Sequence, residues 1–389
     1  MANEPPADDA LTTLDDALWQ LGVHDAHCHP TDTMDVVPEI PSRRIRTLTI
    51  MATRANDQQL VAQVARVYGV DVTGRDDKVT CRVVPSFGWH PWYSHLLLDD
   101  MNANTNGGAT TLSKTEHYTA VLLGDPTDEF IATLPDPKPL SEFIAETRAR
   151  LLEFPSALVG EVGIDRTFRL PHPPSAAPSP DGKRLTPYKV SLDHQRRVLE
   201  EQLRLAGALH RPASIHGVGA HGVLHDALAA LFRGYERPIR SNRTRKRGPH
   251  DFEGDDPSDD EEETQKKGDP PFPPRICLHS FSAPPDFLKT WLSARIPAAV
   301  YFSFSRAINV GYGYDKFAEM LKMVPEDKLL VESDLHVASV EMERDLAVIV
   351  RKVASERGWE LERTVTTLGR NWRRFVYGED EGVDSSRQS

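Results

Sequence analysis

Eight short apolar runs rich in β-branched residues recur between residues 22 and 377, and longer segments of helical periodicity separate them. The runs are Val23–His27, Arg46–Ala52, Arg82–Gly88, Ala157–Ile164, Pro212–His216, Arg275–His279, Val300–Ser303 and Lys328–Glu332. The spacers include Gln58–Tyr68, Ser141–Phe154, His194–His210, Gly222–Arg233, Pro285–Ala294 and Tyr314–Met323. Within His194–His210, Val198, Leu199, Leu203, Leu205, Ala206 and Leu209 recur as on a helix with one buried face. Strand–helix alternation of this kind requires parallel pairing through right-handed crossovers. Eight units therefore predict an α/β chain closed as a (β/α)8 TIM barrel. A doubly wound open sheet would need a Gly-rich turn after its first strand, and none follows Val23–His27. The barrel domain is expected over residues 21–378, between flexible tails at 1–20 and 379–389.

Three stretches interrupt the rhythm. Residues 99–118 and 169–188 are polar and rich in Gly or Pro, which reads as loop. The third begins basic (RSNRTRKRG), turns acidic (DFEGDDPSDDEEE) and ends PPFPP. So charged a segment buries too little apolar surface to offset its ordering entropy. Residues 240–272 are therefore read as a long disordered insertion between the fifth helix and the sixth strand. The three cysteines are too few and too scattered for a disulfide framework or a thiolate zinc site. The acidic N-terminus lacks the basic and apolar regions of a signal peptide, and no apolar run reaches the ~18 residues of a membrane span. No membrane association is expected. The expected location is cytoplasmic, with the nucleus second.

The first strand runs into VHDAHCHP, where His27 and His29 stand one residue apart. Side chains at i and i+2 of a strand face the same side, so both imidazoles can converge on one point. Alone, the pair fits two solvated loop histidines as well as a metal site. Four other strand ends decide between them. Glu161 ends the fourth strand, His216 the fifth, His279 the sixth and Asp334 the eighth. In a barrel those tips meet at one face, where the active sites of this fold are built.

Four imidazoles and two carboxylates exceed the needs of one ion. They suit two divalent cations about 3.5–4 Å apart, with Glu161 or a solvent oxygen bridging them. Mixed imidazole and carboxylate ligation favours Zn or Mn over Mg, and ligand type leaves the identity open. Asp334 is placed both to bind metal and to accept a proton from the attacking water.

The ordered set DAHCHP, FGWHPW, VGEVGID, IHGVGA, LHSFSA and ESDLH resembles the TatD-type metal-dependent hydrolases of the amidohydrolase-like barrel superfamily. The likeness runs from about residue 22 to 377, and the family's ligand pattern falls on His27, His29, Glu161, His216, His279 and Asp334. It implies metal-dependent hydrolysis of phosphodiester bonds, a deoxyribonuclease in which Glu161 and Asp334 act in catalysis. The expected partner is DNA, as a single strand or an end. Val218 stands where the family usually carries an arginine, and Leu335-His336 follows Asp334 where a proline is usual.

His90, in GWHPW, is read as a contact to substrate or to water at the metals. Trp89 and Trp92 are placed to stack on a base, and His336 to supply a polar contact. Asp25 is expected to orient a ligand, and His24, His95, His221 and His225 to lie outside the ligand set. A net charge of -12 argues against strong duplex binding. Two other functions stay open: hydrolysis of a small phosphoester or amide on the same barrel, and binding of a protein partner through the loop insertions.

Overall fold

A computed structural model describes residues 12–71, 81–101, 112–172, 185–238, 268–311 and 316–378. Eight parallel strands form one sheet in chain order: β1 (His24–Cys28), β2 (Thr47–Met51), β3 (Arg82–Phe87), β4 (Leu158–Asp165), β5 (Ala213–Val218), β6 (Arg275–Leu278), β7 (Ala299–Ser305) and β8 (Leu329–Glu332). The ends of the sheet meet just past the strand tips. There the Asp334 N–H donates to the His27 carbonyl and the His29 N–H to the Leu335 carbonyl. The barrel is thus nearly closed, and its seam lies at the two histidines of the HxH pair.

Each strand divides its side chains between two environments, following period-2 alternation except where β4 has an irregularity between Val159 and Val162. Val159, Val162, Ala213, Ile215, Ile276, Phe302 and Phe304 pack outward in the main core shared with the helices. Ala26, Val84, Leu158, Cys277, Tyr301 and Leu330 form a separate interior layer with Trp372, Phe375 and Val376. The last helix therefore plugs the N-terminal mouth. Above that plug lie fully buried Thr49, Ser86, Ser214 and Ser303, and above those hydroxyls the site opens.

The surrounding helices are α1 (Asp16–Gly22), α2 (Ala55–Tyr68), α3 (Lys114–Val121), α4 (Asp128–Thr133), α5 (Leu140–Glu153), α6 (Leu192–Ala208), α7 (His221–Phe232), α8 (Pro285–Trp291), α9 (Phe317–Met323), α10 (Val340–Arg357) and α11 (Leu361–Tyr377). The first crossover is no α-helix. Met34–Ser42 is a 3₁₀ segment carrying Pro38 and Pro41, neither of which can donate to a helical ladder.

Two expectations are corrected. Residues 12–20, read as the end of a flexible tail, lead into and join α1, because Leu14 and Trp19 are buried in the core. Residues 99–118, read as loop, contain the start of α3, which a Ser113–Glu116 capping box initiates. The charged insertion falls outside the described residues as far as 267. Its last five residues are placed, and buried Phe272 packs edge-on against Phe232 and Tyr235.

His24, at the start of β1, is buried and stacked on Trp372 with ring centroids 4.1 Å apart. Neither of its ring nitrogens makes a hydrogen bond. Burial, with the charges of Arg373 and Arg46, pushes its pKa down to about 3. His95 is likewise lowered to about 3 by burial, beside His194 and His117. Above pH ~6.5 these rings are neutral folded or unfolded. Below it the unfolded chain takes up protons that the buried rings refuse, so stability falls as pH drops from about 6.5 towards 3. At pH 5 each ring should cost about 2 kcal/mol. Thermal melts between pH 7.5 and 5 should show the loss, and His24→Phe should remove one share of it.

Candidate metal centre

Each candidate residue reaches the site because its strand delivers it there. His27 lies in β1, Glu161 in β4 and His216 in β5, while His29, His279 and Asp334 lie one or two residues past β1, β6 and β8. Asp334 has a left-handed φ of 58°, a conformation that Asp tolerates better than most residues. Four imidazoles converge on Glu161, and Asp334 joins them beside His27 and His29.

The two oxygens of Glu161 face two different groups. Oε2 is 3.4 Å from His27 Nε2 and 3.3 Å from His29 Nε2. Asp334 Oδ1 joins this half at 3.9 and 3.6 Å from the same two nitrogens. Oε1 is 3.0 Å from His216 Nδ1, 3.0 Å from His279 Nε2 and 3.1 Å from His90 Nε2. His27 Nε2 and His29 Nε2 are 3.1 Å apart. That is close to the ~3.3 Å edge of a tetrahedron with metal–nitrogen bonds of about 2 Å. The ligand-type atoms of His27, His29 and Glu161, and those of His90, Glu161 and His216, each lie close enough together to hold a cation, with His279 beside the second group.

Charge in the cluster follows the same division. Burial works against the charged form of His29, but its hydrogen bond to Asp334 and the Glu161 charge prevail and lift it to about 9. His216 also rises to about 9, against burial, through hydrogen bonds to Asp165 and Glu161. In each half the anionic oxygens of Glu161, with Asp334 on one side and Asp165 on the other, thus favour a neighbouring positive charge. Burial also opposes ionisation of Glu161 and Asp334. The surrounding histidines outweigh it, and both carboxyls sit below their usual range.

A supporting layer fixes the ring orientations. Ser214 Oγ lies 3.0 Å from His27 Nδ1 and 3.5 Å from His279 Nδ1, which leaves both Nε2 atoms aimed at Glu161. Asp165 Oδ2 lies 3.2 Å from His216 Nε2 and accepts the Trp92 indole N–H at 2.6 Å. Glu332 accepts the Ser280 N–H and hydroxyl, and so holds the backbone next to His279. Asp25 accepts the His27 and Ser333 N–H groups, which ties β1 to the end of β8. Asp165 and Ser214 were not singled out by the sequence reading. The signal for Asp165 was present, because it stands four residues after Glu161 on the same strand and so on the same face.

His90 is held differently from the other candidate histidines. Its Nδ1 accepts the Trp92 backbone N–H, so in the neutral ring the proton sits on Nε2 and points to Glu161. His90 therefore donates to the carboxylate. His336 stacks on His29 at 5.1 Å and contacts Asp32 Oδ2 at 2.6 Å on the rim. Trp92 also lines the cavity and stacks on Phe168. Trp89 does not. It is 3% exposed, set edge-on to Phe143, and its indole N–H donates to the Tyr93 carbonyl. The reading of Trp89 as a substrate contact is corrected: it is a core residue.

His29, His90, His216, His279, Glu161 and Asp334 line a cavity of about 340 Å³ whose rim includes Arg54, Trp92, Val218 and His336, while His27 lies buried beneath them. Among the described residues no helix is long and apolar enough to cross a membrane.

The family model described as TatD related DNase matches residues 24–377. Cut9-interacting protein scn1 of Schizosaccharomyces pombe is 36% identical over 354 residues, covering 90% of this chain and 98% of that protein. An uncharacterized deoxyribonuclease of Saccharomyces cerevisiae is 29% identical over 255 residues, 64% of each chain. Among solved structures, the TatD homologue YjjV of Escherichia coli matches with a TM-score of 0.51 at 15% identity, over 92% of this chain and 98% of that one. At that identity the likeness concerns the fold. With the family model matched across the whole barrel, the chain belongs to the TatD-related DNase family.

Proposed function

We propose that this TatD-family hydrolase is a divalent-metal-dependent phosphodiesterase that cuts DNA from a single-stranded end. The observation that carries the reading is Glu161, whose two oxygens face two separate groups of ligand-type side chains. His27, His29 and Asp334 would hold one cation with Oε2, and His216 and His279 the other with Oε1. Two such ions (Zn, Mn or Mg) supply, when bound, the charge that activates a water and neutralises phosphoryl oxygens. The chain's own residues do the rest. His90 keeps Glu161 turned between the two halves. Asp165 takes the outer nitrogen of His216, so that Nδ1 faces inward. Asp334, held ionised, takes the proton of the attacking water, and His336 and Trp92 offer polar and stacking contacts at the rim.

The test is hydrolysis of an end-labelled single strand by purified protein with added Mn or Zn. Shortening from one end, stopped by a chelator, is expected. A protein that cleaves a small phosphoester but leaves every oligonucleotide intact would hand the site to the small-substrate reading. A protein-binding role beside catalysis is supported by the name of the fission-yeast relative, a Cut9-interacting protein. Both roles would belong to the cytoplasm or nucleus.

A further inference from the structure

We propose that Arg54 binds the backbone phosphate next to the scissile one, so that the site is built for a nucleic acid strand and not for an isolated phosphodiester. The inference rests on the phosphodiesterase reading above. Among the described residues, Arg54 contributes the single Lys or Arg side chain that lines the cavity. It stands three residues past β2, with its side chain 43% exposed.

Two corners of its guanidinium are already fixed. Nη1 donates to the Tyr93 hydroxyl at 2.7 Å, and Nε lies 3.4 Å from Oδ1 of buried Asp57. Nη2 has only a long contact, 3.7 Å from Asp32 Oδ1, and Asp32 is engaged by His336 at 2.6 Å. A planar guanidinium fixed at two corners loses little freedom when the third takes an anionic oxygen.

Its neighbours place it between the halves of the cluster. Tyr93 lies beside His90, with ring centroids 6.5 Å apart, and His336 stacks on His29. Arg54 is thus one layer out from Glu161, where a strand leaving the centre would present its next phosphate. The wall formed by Gly217, Val218 and Ile308 is uncharged and offers a phosphate no cation.

The proposal is tested with Arg54→Ala and Arg54→Lys on a single-stranded oligonucleotide and on bis(p-nitrophenyl) phosphate, a diester without a neighbouring phosphate. Arg54→Ala should raise KM for the oligonucleotide about 10–100-fold, the range of one charged hydrogen bond, with kcat little changed. The small diester should be cleaved at the parental rate. The slope of log KM against log salt should shrink by about 0.7, one phosphate contact on a single strand. Arg54→Lys should restore that slope and only part of KM, because an ammonium cannot make the forked contact. An unchanged oligonucleotide KM in Arg54→Ala, with the parent active on oligonucleotides, overturns this proposal alone. Equal losses on both substrates also overturn it, since Arg54 would then support the metal centre. A parent inactive on every oligonucleotide overturns it together with the nuclease reading.

Discussion

Asp334→Asn should fold as the parent does and hydrolyse substrate at least 10²–10⁴-fold more slowly, the range of a positioned acid–base group. The asparagine keeps the size of the side chain and the backbone bond from residue 334 to the His27 carbonyl, so the barrel seam is retained. What it loses is the anionic oxygen 3.6 Å from His29 Nε2 and the capacity to accept a proton. The other carboxylate at this strand end cannot substitute. Glu332 is fully buried, holds Ser280 and Ser303, and is pushed well above the usual carboxylate range by burial and by the Asp334 charge. Excess metal should therefore not rescue Asp334→Asn. Initial rates at saturating Mn or Zn, beside the thermal midpoint, check this. A variant as fast as the parent removes Asp334 from the chemistry.

Glu161→Gln should act on both halves at once. A neutral amide replaces the carboxylate that both groups of histidines face, so metal content should fall on both sides together. The rate should drop by at least about 10²–10³-fold, as for removal of one group from a preorganised polar site. His27→Ala should differ, because it leaves His216, His279 and Oε1 intact. One ion should remain, and added Mn or Zn should partly restore its activity. Metal analysis of the dialysed variants separates the two patterns without an activity assay. Full metal content in Glu161→Gln would remove the bridging role.

The convergence of the candidate residues was legible because most of them stand at or just past the end of an apolar strand, where barrel alternation fixes the side they face. Glu161, expected at a strand end, lies instead in the middle of β4, four residues before its end. Residues such as Ser214 and Ser303 were not legible, because a serine within a strand gives no sign of which imidazole or carboxylate will lie above it. Trp89 was misread for a local reason. His90 caps a 3₁₀ turn over Pro91–Leu96, and the turn sends Trp89 into the Phe143 core while Trp92 reaches the rim. α1 and α3 hid inside polar stretches. In the first, Leu14, Leu18 and Trp19 follow helical spacing; in the second, a serine stands three residues before a glutamate. Strand boundaries were readable to within about two residues, since burial on both faces leaves a continuous apolar run.

The division of Glu161 between two cations is tested most directly by anomalous diffraction from crystals grown with Zn or Mn. Two peaks about 3.5–4 Å apart are expected. One should lie about 2 Å from the Nε2 atoms of His27 and His29, and the other about 2 Å from His216 Nδ1 and His279 Nε2. Each should contact one oxygen of Glu161. A single peak, or a pair that leaves Glu161 without a metal contact, would contradict the account.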